Sequence, residues 1–465
     1  MKIIKTIVLC FFCQFCYTQN WQPLGTGLNI SATKFFTDTV TDKLYVGGPF
    51  TRVDGDTVWG IASWNGSVWD SLGHGINRYP NNFLPDNTWG MAHLGNYLYI
   101  GGSFDWTGYA PSPFLSRWDG TNWSSIPGGQ PNDVVDDVIV YNNELYICGV
   151  FDSVGNVPAS GVARWDGSSW YAIGGNYDFE ATGSVLRIQF FHGNLYIGGV
   201  FQDPLGNTCR LAKWDGSTWQ FFTNEVTGGI VSIFALKEYN NELYISGLFY
   251  AASGNAGNCI MRWNDTTFQD VGGGVDFYSF SSPQVRDMVV NNGKLYCAGS
   301  FEKIGGIMAY GLASWDGVQW CGYNTSFQVN SQECGTYNLD FYHDTLYVGG
   351  GFRVIDGDTM YSIAKWIGGS YVDTCGTTTG VEENLFPIEL IVFPNPTSSI
   401  VTFQMKGLTG KKALIIYDQL GKEIWRKTTN ENQIEFLVEG ISAGLYFYRV
   451  EQSGIAKAQG KFIIQ

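Results

Sequence analysis

An all-β chain, a seven-bladed β-propeller followed by a small Ig-like β-sandwich, is predicted from three observations on these 465 residues. One heptad returns seven times: LYVGGPF at 44, LYIGGSF at 98, LYICGVF at 145, LYIGGVF at 195, LYISGLF at 243, LYCAGSF at 295 and LYVGGGF at 346. Its leucines stand 54, 47, 50, 48, 52 and 51 residues apart. A tryptophan follows each leucine by 20 residues (19 for Trp214), and a second aromatic follows 5 later, from Trp64 with Trp69 to Trp366 with Tyr371. The composition, with 60 Gly, 17 Trp, 26 Tyr, 31 Phe and 15% charged residues, lacks the Lys, Glu, Ala and Leu of long amphipathic helices. A period near 50 with two hairpins per unit makes four-stranded blades around an axis.

In chain order, residues 1–18 (MKIIKTIVLCFFCQFCYT) have two lysines, a short apolar run and a polar end, the layout of a secretory signal peptide. No convincing small-residue pattern precedes Cys10, Cys13 or Cys16, which disfavours a lipoprotein anchor. No later run reaches the roughly 20 apolar residues of a membrane helix. Residues 19–375 form the expected propeller. WQPLGTG at 21–27 resembles VWDSLGHG at 68–75, so it is expected to close the ring as the last strand of the seventh blade, whose own SYVDTCG is poorly formed.

Within each unit, turn residues such as Asn142-Asn143, His192-Gly193, Asn240-Asn241 and Asn292-Gly293 precede the heptad and mark a first hairpin. Asp-Gly or Asn-Gly after the first tryptophan, as in RWDGSSWYAIG at 164–174, marks a second, with the two aromatics as cross-strand neighbours. Heptad side chains alternate between two faces that both pack on other blades, so both are apolar. The second glycine, Gly48 to Gly350 in all seven copies, is expected where converging blades bring backbones close. Paired glycine, later aromatic and tryptophan resemble kelch-type and galactose-oxidase-like propellers, at the level of architecture.

The charge is −15, and −17 once Lys2 and Lys5 leave with the leader, which argues against nucleic acid as a partner. Seven cysteines then remain, an odd number without a CxxC pair. Cys321 with Cys334 is the most plausible local disulfide, while Cys148 and Cys297, inside heptads, read as buried apolar residues.

A linker at 376–388 leads to a terminal domain at 389–465 with net charge +2 against −19 for the rest of the mature chain. Its short strands, broken by Gly, Pro and Asn, predict a β-sandwich. Phe393-Pro394-Asn395-Pro396-Thr397, the turn Tyr417-Asp418-Gln419-Leu420-Gly421-Lys422, Gly444-Leu445-Tyr446-Phe447-Tyr448 and Gly460-Lys461-Phe462 resemble a type A C-terminal sorting domain of the type IX secretion system. The resemblance implies a Bacteroidetes-type exporter, passage through the periplasm, outer-membrane recognition of this domain, and its removal with release or surface attachment.

Candidate chemistry is sparse. No GxSxG, HExxH or phosphate loop occurs, and the four scattered histidines supply no copper site of the galactose-oxidase kind. His192 and His343 occupy the same first-hairpin turn and read as exposed turn residues. Asp54-Gly55-Asp56-Thr57 and Asp356-Gly357-Asp358-Thr359 fill matching loops, weak calcium candidates that lack further spaced acids. Eight residues before the heptad leucine stand Asp137, Arg187 and Asp287, expected to face the central channel. The reading favoured is a cell-surface or secreted binding protein whose propeller presents loops to a glycan or protein, with no cofactor. The alternatives are an extracellular polysaccharide-acting enzyme using channel carboxylates and a purely structural envelope component.

Overall fold

The computed structural model describes residues 20–368 and 389–465, apart from 78–86, 175–176, 178, 180–182, 224–225, 227–231, 252–253, 277–281, 324, 330–331, 334, 407, 409, 419–421 and 453–454. The leader, SYVDTCG with Tyr371, the linker, Cys334 and Cys375 lie outside the described residues. The chain divides into two compact units, Met1–Gly376 and Thr377–Gln465.

In the first unit, seven four-stranded antiparallel sheets share one order. Blade 3 is typical: Val135–Tyr141, the heptad strand Glu144–Gly149, Val162–Trp165 and Trp170–Ala172. The pre-heptad strands of all seven blades surround one central cavity and are therefore innermost. In blade 7, Thr336–Tyr342, Thr345–Gly350 and Ile363–Trp366 are completed by Trp21–Pro23, with Trp21 opposite Trp366 and Pro23 opposite Ala364. The ring is closed by the start of the propeller sequence.

The repeated landmarks make the core. Every heptad leucine is buried, and the heptad phenylalanines, Phe50 to Phe352, are at most 1% exposed; each such burial contributes about 1.5–3 kcal/mol. The first hairpins turn through positive φ, 50° at Asn142, 62° at Asn143 and 48° at His192, as their residue types require. In the second hairpins the facing aromatics lie 4.4 Å (Trp263–Phe268) to 6.4 Å (Trp165–Trp170) apart. The second tryptophan also reaches back. The Nε1 of Trp69, Trp123, Trp170 and Trp320 donates to the carbonyls of Leu24, Leu72, Gly129 and Val271, on the connection leading into its own blade.

The reason for the second heptad glycine differs from the expected convergence of blades. In blades 1–6 an added Cβ would lie 1.9–2.3 Å from a carbonyl oxygen at the start of the same blade's innermost strand, for example Val134 for Gly149. Contact between blades falls to the first glycine: a Cβ on Gly101 would meet Val135, and one on Gly198 would meet Ile233.

Three histidines bind the ring at its first-hairpin face. His93 Nδ1 lies 2.7 Å from Asp38 Oδ2, His192 Nδ1 is 2.6 Å from Asp265 Oδ2, and His343 Nε2 is 2.7 Å from Asp42 Oδ1, each partner being on an adjacent blade. His192 and His343 are turn residues, as expected, but turn residues that link blades. The bonds to Asp265 and then Asn241 raise the pKa of His192 above its ordinary 6.5. Its folded state thus holds the proton more tightly than the unfolded chain. The pair's contribution is complete below about pH 6.5 and disappears as pH rises through the folded value. His192→Asn, which keeps a residue tolerant of φ 48°, should lower the thermal midpoint at pH 5.5 and change it little at pH 8.5. A deficit that is the same at both values would refute the pairing.

Cys148, Cys209, Cys259 and Cys297 are free and buried, and burial pushes the Cys209 thiol up to about 11. Cys321 is disulfide-bonded.

The second unit packs a three-stranded sheet (Glu389–Phe393, Ile400–Lys406, Gln433–Leu437) and a four-stranded sheet (Glu423–Thr429, Lys412–Tyr417, Gly444–Gln452, Ile455–Ile464) around Val401, Phe403, Leu414, Ile416, Phe436 and Phe462. The two sheets enclose one shared core.

Candidate functional site

The central channel is a cavity of about 240 Å³ walled by the seven innermost strands. Side chains alternate along each innermost strand between the two faces of its blade, so residues two apart meet the same neighbouring blade. One layer holds Lys34, Asp137, Arg187, Ala235, Asp287 and Asn338, and a layer two residues on holds Phe36, Ile139, Gln189, Lys237, Val289 and Asp340.

Asp137, Arg187 and Asp287 therefore all line the channel, and each reaches the backbone of the next blade. Asp137 Oδ1 accepts from Val138 N at 3.0 Å and Oδ2 from Ile188 N at 3.4 Å. Asp287 holds Met288 N at 2.9 Å and Leu339 N at 3.2 Å. Arg187 Nε donates to Phe234 O at 2.5 Å, and its Nη1 donates to Asp136 O at 3.3 Å. Asp340 and Asn338, which sequence reasoning did not single out, act alike: Asp340 Oδ2 takes Thr37 N at 2.8 Å and Asn338 Nδ2 gives to Ala32 O at 3.0 Å. Burial in the channel wall raises the pKa of Asp287, opposed chiefly by the charge of Lys34; burial raises that of Asp340 too, opposed by the N–H groups it accepts. These polar groups staple consecutive blades.

A different set of residues lies at one end of the channel. Just upstream of the first channel layer the innermost strands carry a β-bulge, seen as a register shift that skips Trp89, Asp136, Leu186, Phe234, Arg286 and Tyr337 in blades 2 to 7. Bulges re-aim side chains and favour sites. Asp136 Oδ2 and Arg286 Nε are buried without a hydrogen-bond partner. Burial, opposed by Arg187 and reinforced by Asp137 and Asp133, pushes the Asp136 carboxyl up to about 7. The Arg286 guanidinium stands over two rings, 4.7 Å from the centroid of Tyr337 and 6.0 Å from that of Phe234. The bulges sit where the chain enters each innermost strand, at the channel end beneath the connections between blades.

On that same face the hairpins after each heptad pair with the incoming connections: Trp106–Thr107 with Ile76–Asn77, Lys303–Ile304 with Val275–Asp276, and Val354–Ile355 with Phe327–Val329. The DGDT loops belong here. Asp54 Oδ1 accepts from Thr26 N at 2.7 Å and Asp356 Oδ1 from Ser326 N at 2.8 Å, fastening hairpin to connection, while Asp56 and Asp358 lie on the exposed return strands. Among the described residues no group of three or more His, Cys, Asp or Glu side chains is placed to hold a metal ion.

In the terminal unit the four motifs form one clip. Asn395 Oδ1 accepts from Ile463 N at 2.9 Å, Thr397 N donates to Ile463 O at 2.9 Å, and Gln465 N donates to Thr397 O at 2.8 Å. Asp418 Oδ1 caps Lys422 N at 2.9 Å in the hairpin turn. Gly460 faces Tyr448, whose hydroxyl would lie 2.3 Å from any Cβ there.

No curated protein matches the chain. Similar solved structures include PorZ, a surface component of the type-IX secretion system of Porphyromonas gingivalis (13% identity, 91% of this chain and 64% of that one, TM-score 0.37). Two others are the extracellular domain of BT4673 from B. thetaiotaomicron (14%, 96% and 59%, 0.45) and the GH74 enzyme of Niastella koreensis (12%, 83% and 59%, 0.44). The chain spans less than two thirds of the length of each of these three. Among the described residues no helix is long and apolar enough to cross a membrane. Residues 391–465 match the Secretion system C-terminal sorting domain family, so this chain is a propeller carried to the cell surface or secreted through the type IX system.

Proposed function

We propose that the propeller is a binding module that presents its bulge ring and the loops above it to a glycan or protein ligand outside the cell. One observation carries this reading. The channel carboxylates Asp137, Asp287 and Asp340 are occupied by backbone N–H groups, whereas the bulge ring leaves Asp136 Oδ2 unpartnered and Arg286 Nε unpartnered over the rings of Tyr337 and Phe234. Buried polar atoms without partners are costly, and a ligand that supplies them recovers that cost. Aromatic side chains next to polar groups suit both sugar faces and peptide side chains.

A second reading rests on Asp136. A carboxyl with a pKa of about 7 is suited to general acid–base chemistry near neutral pH, which favours action on a polysaccharide. A binding and turnover screen of the mature chain on polysaccharide and protein arrays separates the two. Binding without product release, weakened by Phe234→Ala, is the expected result. Turnover abolished by Asp136→Asn, Asp137→Asn or Asp287→Asn would replace the binding reading with catalysis.

A further inference from the structure

Among the charged groups of the channel, Arg286 is distinct. Its Nε is buried with no acceptor, and burial lowers its pKa, with only Tyr337 acting against that. Arg164, Arg262 and Arg426, by contrast, each meet a glutamate. Arg187 is satisfied by carbonyl oxygens. A half-buried guanidinium in a cavity wall without a carboxylate is a place where an anion gains, because partial desolvation of its charge is costly unless a counter-charge is present.

The surroundings are balanced apart from Arg286 itself. The cavity wall carries Lys34, Arg187, Lys237 and Arg286 against Asp137, Asp287 and Asp340, and all three acids are engaged by backbone N–H groups. Arg286 is the one cation in excess, inside a chain of net charge −15, so its attraction for an anion is local. The guanidinium stands over the rings of Tyr337 and Phe234, at 4.7 and 6.0 Å from their centroids, and its planar fork suits a carboxylate. A cavity of about 240 Å³ falls below the roughly 300 Å³ at which pockets for drug-sized ligands begin, so it admits one sugar-sized unit. The unpartnered Asp136 Oδ2 asks for a hydroxyl donor in the same ring of bulges.

We infer that the bulge ring is a subsite for an acidic sugar, with Arg286, beside Tyr337 and Phe234, gripping the carboxylate of one uronic-acid unit. This rests on the binding reading above and narrows its ligand to acidic glycan. The test is calorimetric titration of the mature full chain with three probes: digalacturonic acid, its neutral counterpart galactobiose, and an N-acetylated dipeptide with a free carboxylate.

Digalacturonic acid is expected to bind and galactobiose to bind at least about tenfold more weakly, with Arg286→Gln removing that preference. Arg286→Lys, which keeps the charge without the fork, should fall between. Without ligand, Arg286→Gln should raise the thermal midpoint, since an uncompensated buried charge is gone. A lowered midpoint with unchanged digalacturonate affinity would make Arg286 a packing residue and overturn the inference. Equal binding of both sugars, insensitive to Arg286, would remove the acidic subsite while leaving the binding reading intact. Tighter binding of the dipeptide would assign the site to a protein terminus, and no binding of any probe would also sink it.

Discussion

Cells producing this protein without residues 389–465 should retain it in the periplasm, with none on the surface or in the medium. The expected effect is all-or-none, because the match to the sorting family at 391–465 marks the segment by which the chain is exported. A finer cut should act equally. Ending the chain at Gln459 removes Phe462 and Ile464, which are 1% and 3% exposed in the sandwich core, together with the partner of Asn395 and Thr397. The FPNPT motif would lose the strand it is clipped to, and the recognition surface would go with it. Since the two units form compact bodies with their own cores, the truncated propeller should keep its thermal transition. Fractionation and immunoblotting of medium, surface and periplasm reads the outcome. Unaltered export of either truncation would remove the sorting assignment.

The blades could be read from the sequence because their determinants are local: a turn, an alternating strand and a cross-strand aromatic pair all lie within about 25 residues of the heptad. The channel was readable only in part. Counting eight back from the heptad leucine finds Asp137, Arg187 and Asp287, but in blade 1 it lands on Phe36. There Asp38 pairs with Lys43 across a longer hairpin, and the register brings Lys34 to that layer. The bulge ring was missed because a strict two-residue alternation has no place for an extra residue. Its signal is the residue nine before the leucine in blades 2 to 7, where Trp89, Asp136, Leu186, Phe234, Arg286 and Tyr337 share no chemistry. The histidine pairs were out of reach, since His192 and Asp265 are 73 positions apart and His343 and Asp42 are 301 apart. The first pair forms only when consecutive blades stack, and the second only when the ring closes blade 7 onto blade 1.

Closure also makes Trp21 the tryptophan whose loss should cost most. It is 1% exposed, packs edge-on against Trp366 at 5.1 Å and Phe327 at 5.8 Å, and donates from Nε1 to Thr325 Oγ1 at 3.2 Å. Trp170 occupies the same place in blade 3, 4% exposed, opposite Trp165 and bonded to Gly129 O at 3.1 Å. Truncating either to alanine removes a similar apolar volume, about 3–5 kcal/mol in each case. The consequences diverge after that. The strand Trp170–Ala172 is held to Val162–Trp165 by a short turn, so it re-forms locally. The strand Trp21–Pro23 has no such tether and is bound to Ile363–Trp366 from the far end of the propeller sequence. Weakening it releases a non-local loop and exposes the edge of blade 7, which loop-closure entropy then works against re-forming. Trp21→Ala should therefore lower the urea midpoint more than Trp170→Ala and speed proteolysis within 336–368 and 20–77 first. Equal midpoints for the two variants would mean that the ring is held by blade-to-blade packing and the inward staples, with the closing strand contributing only its own burial.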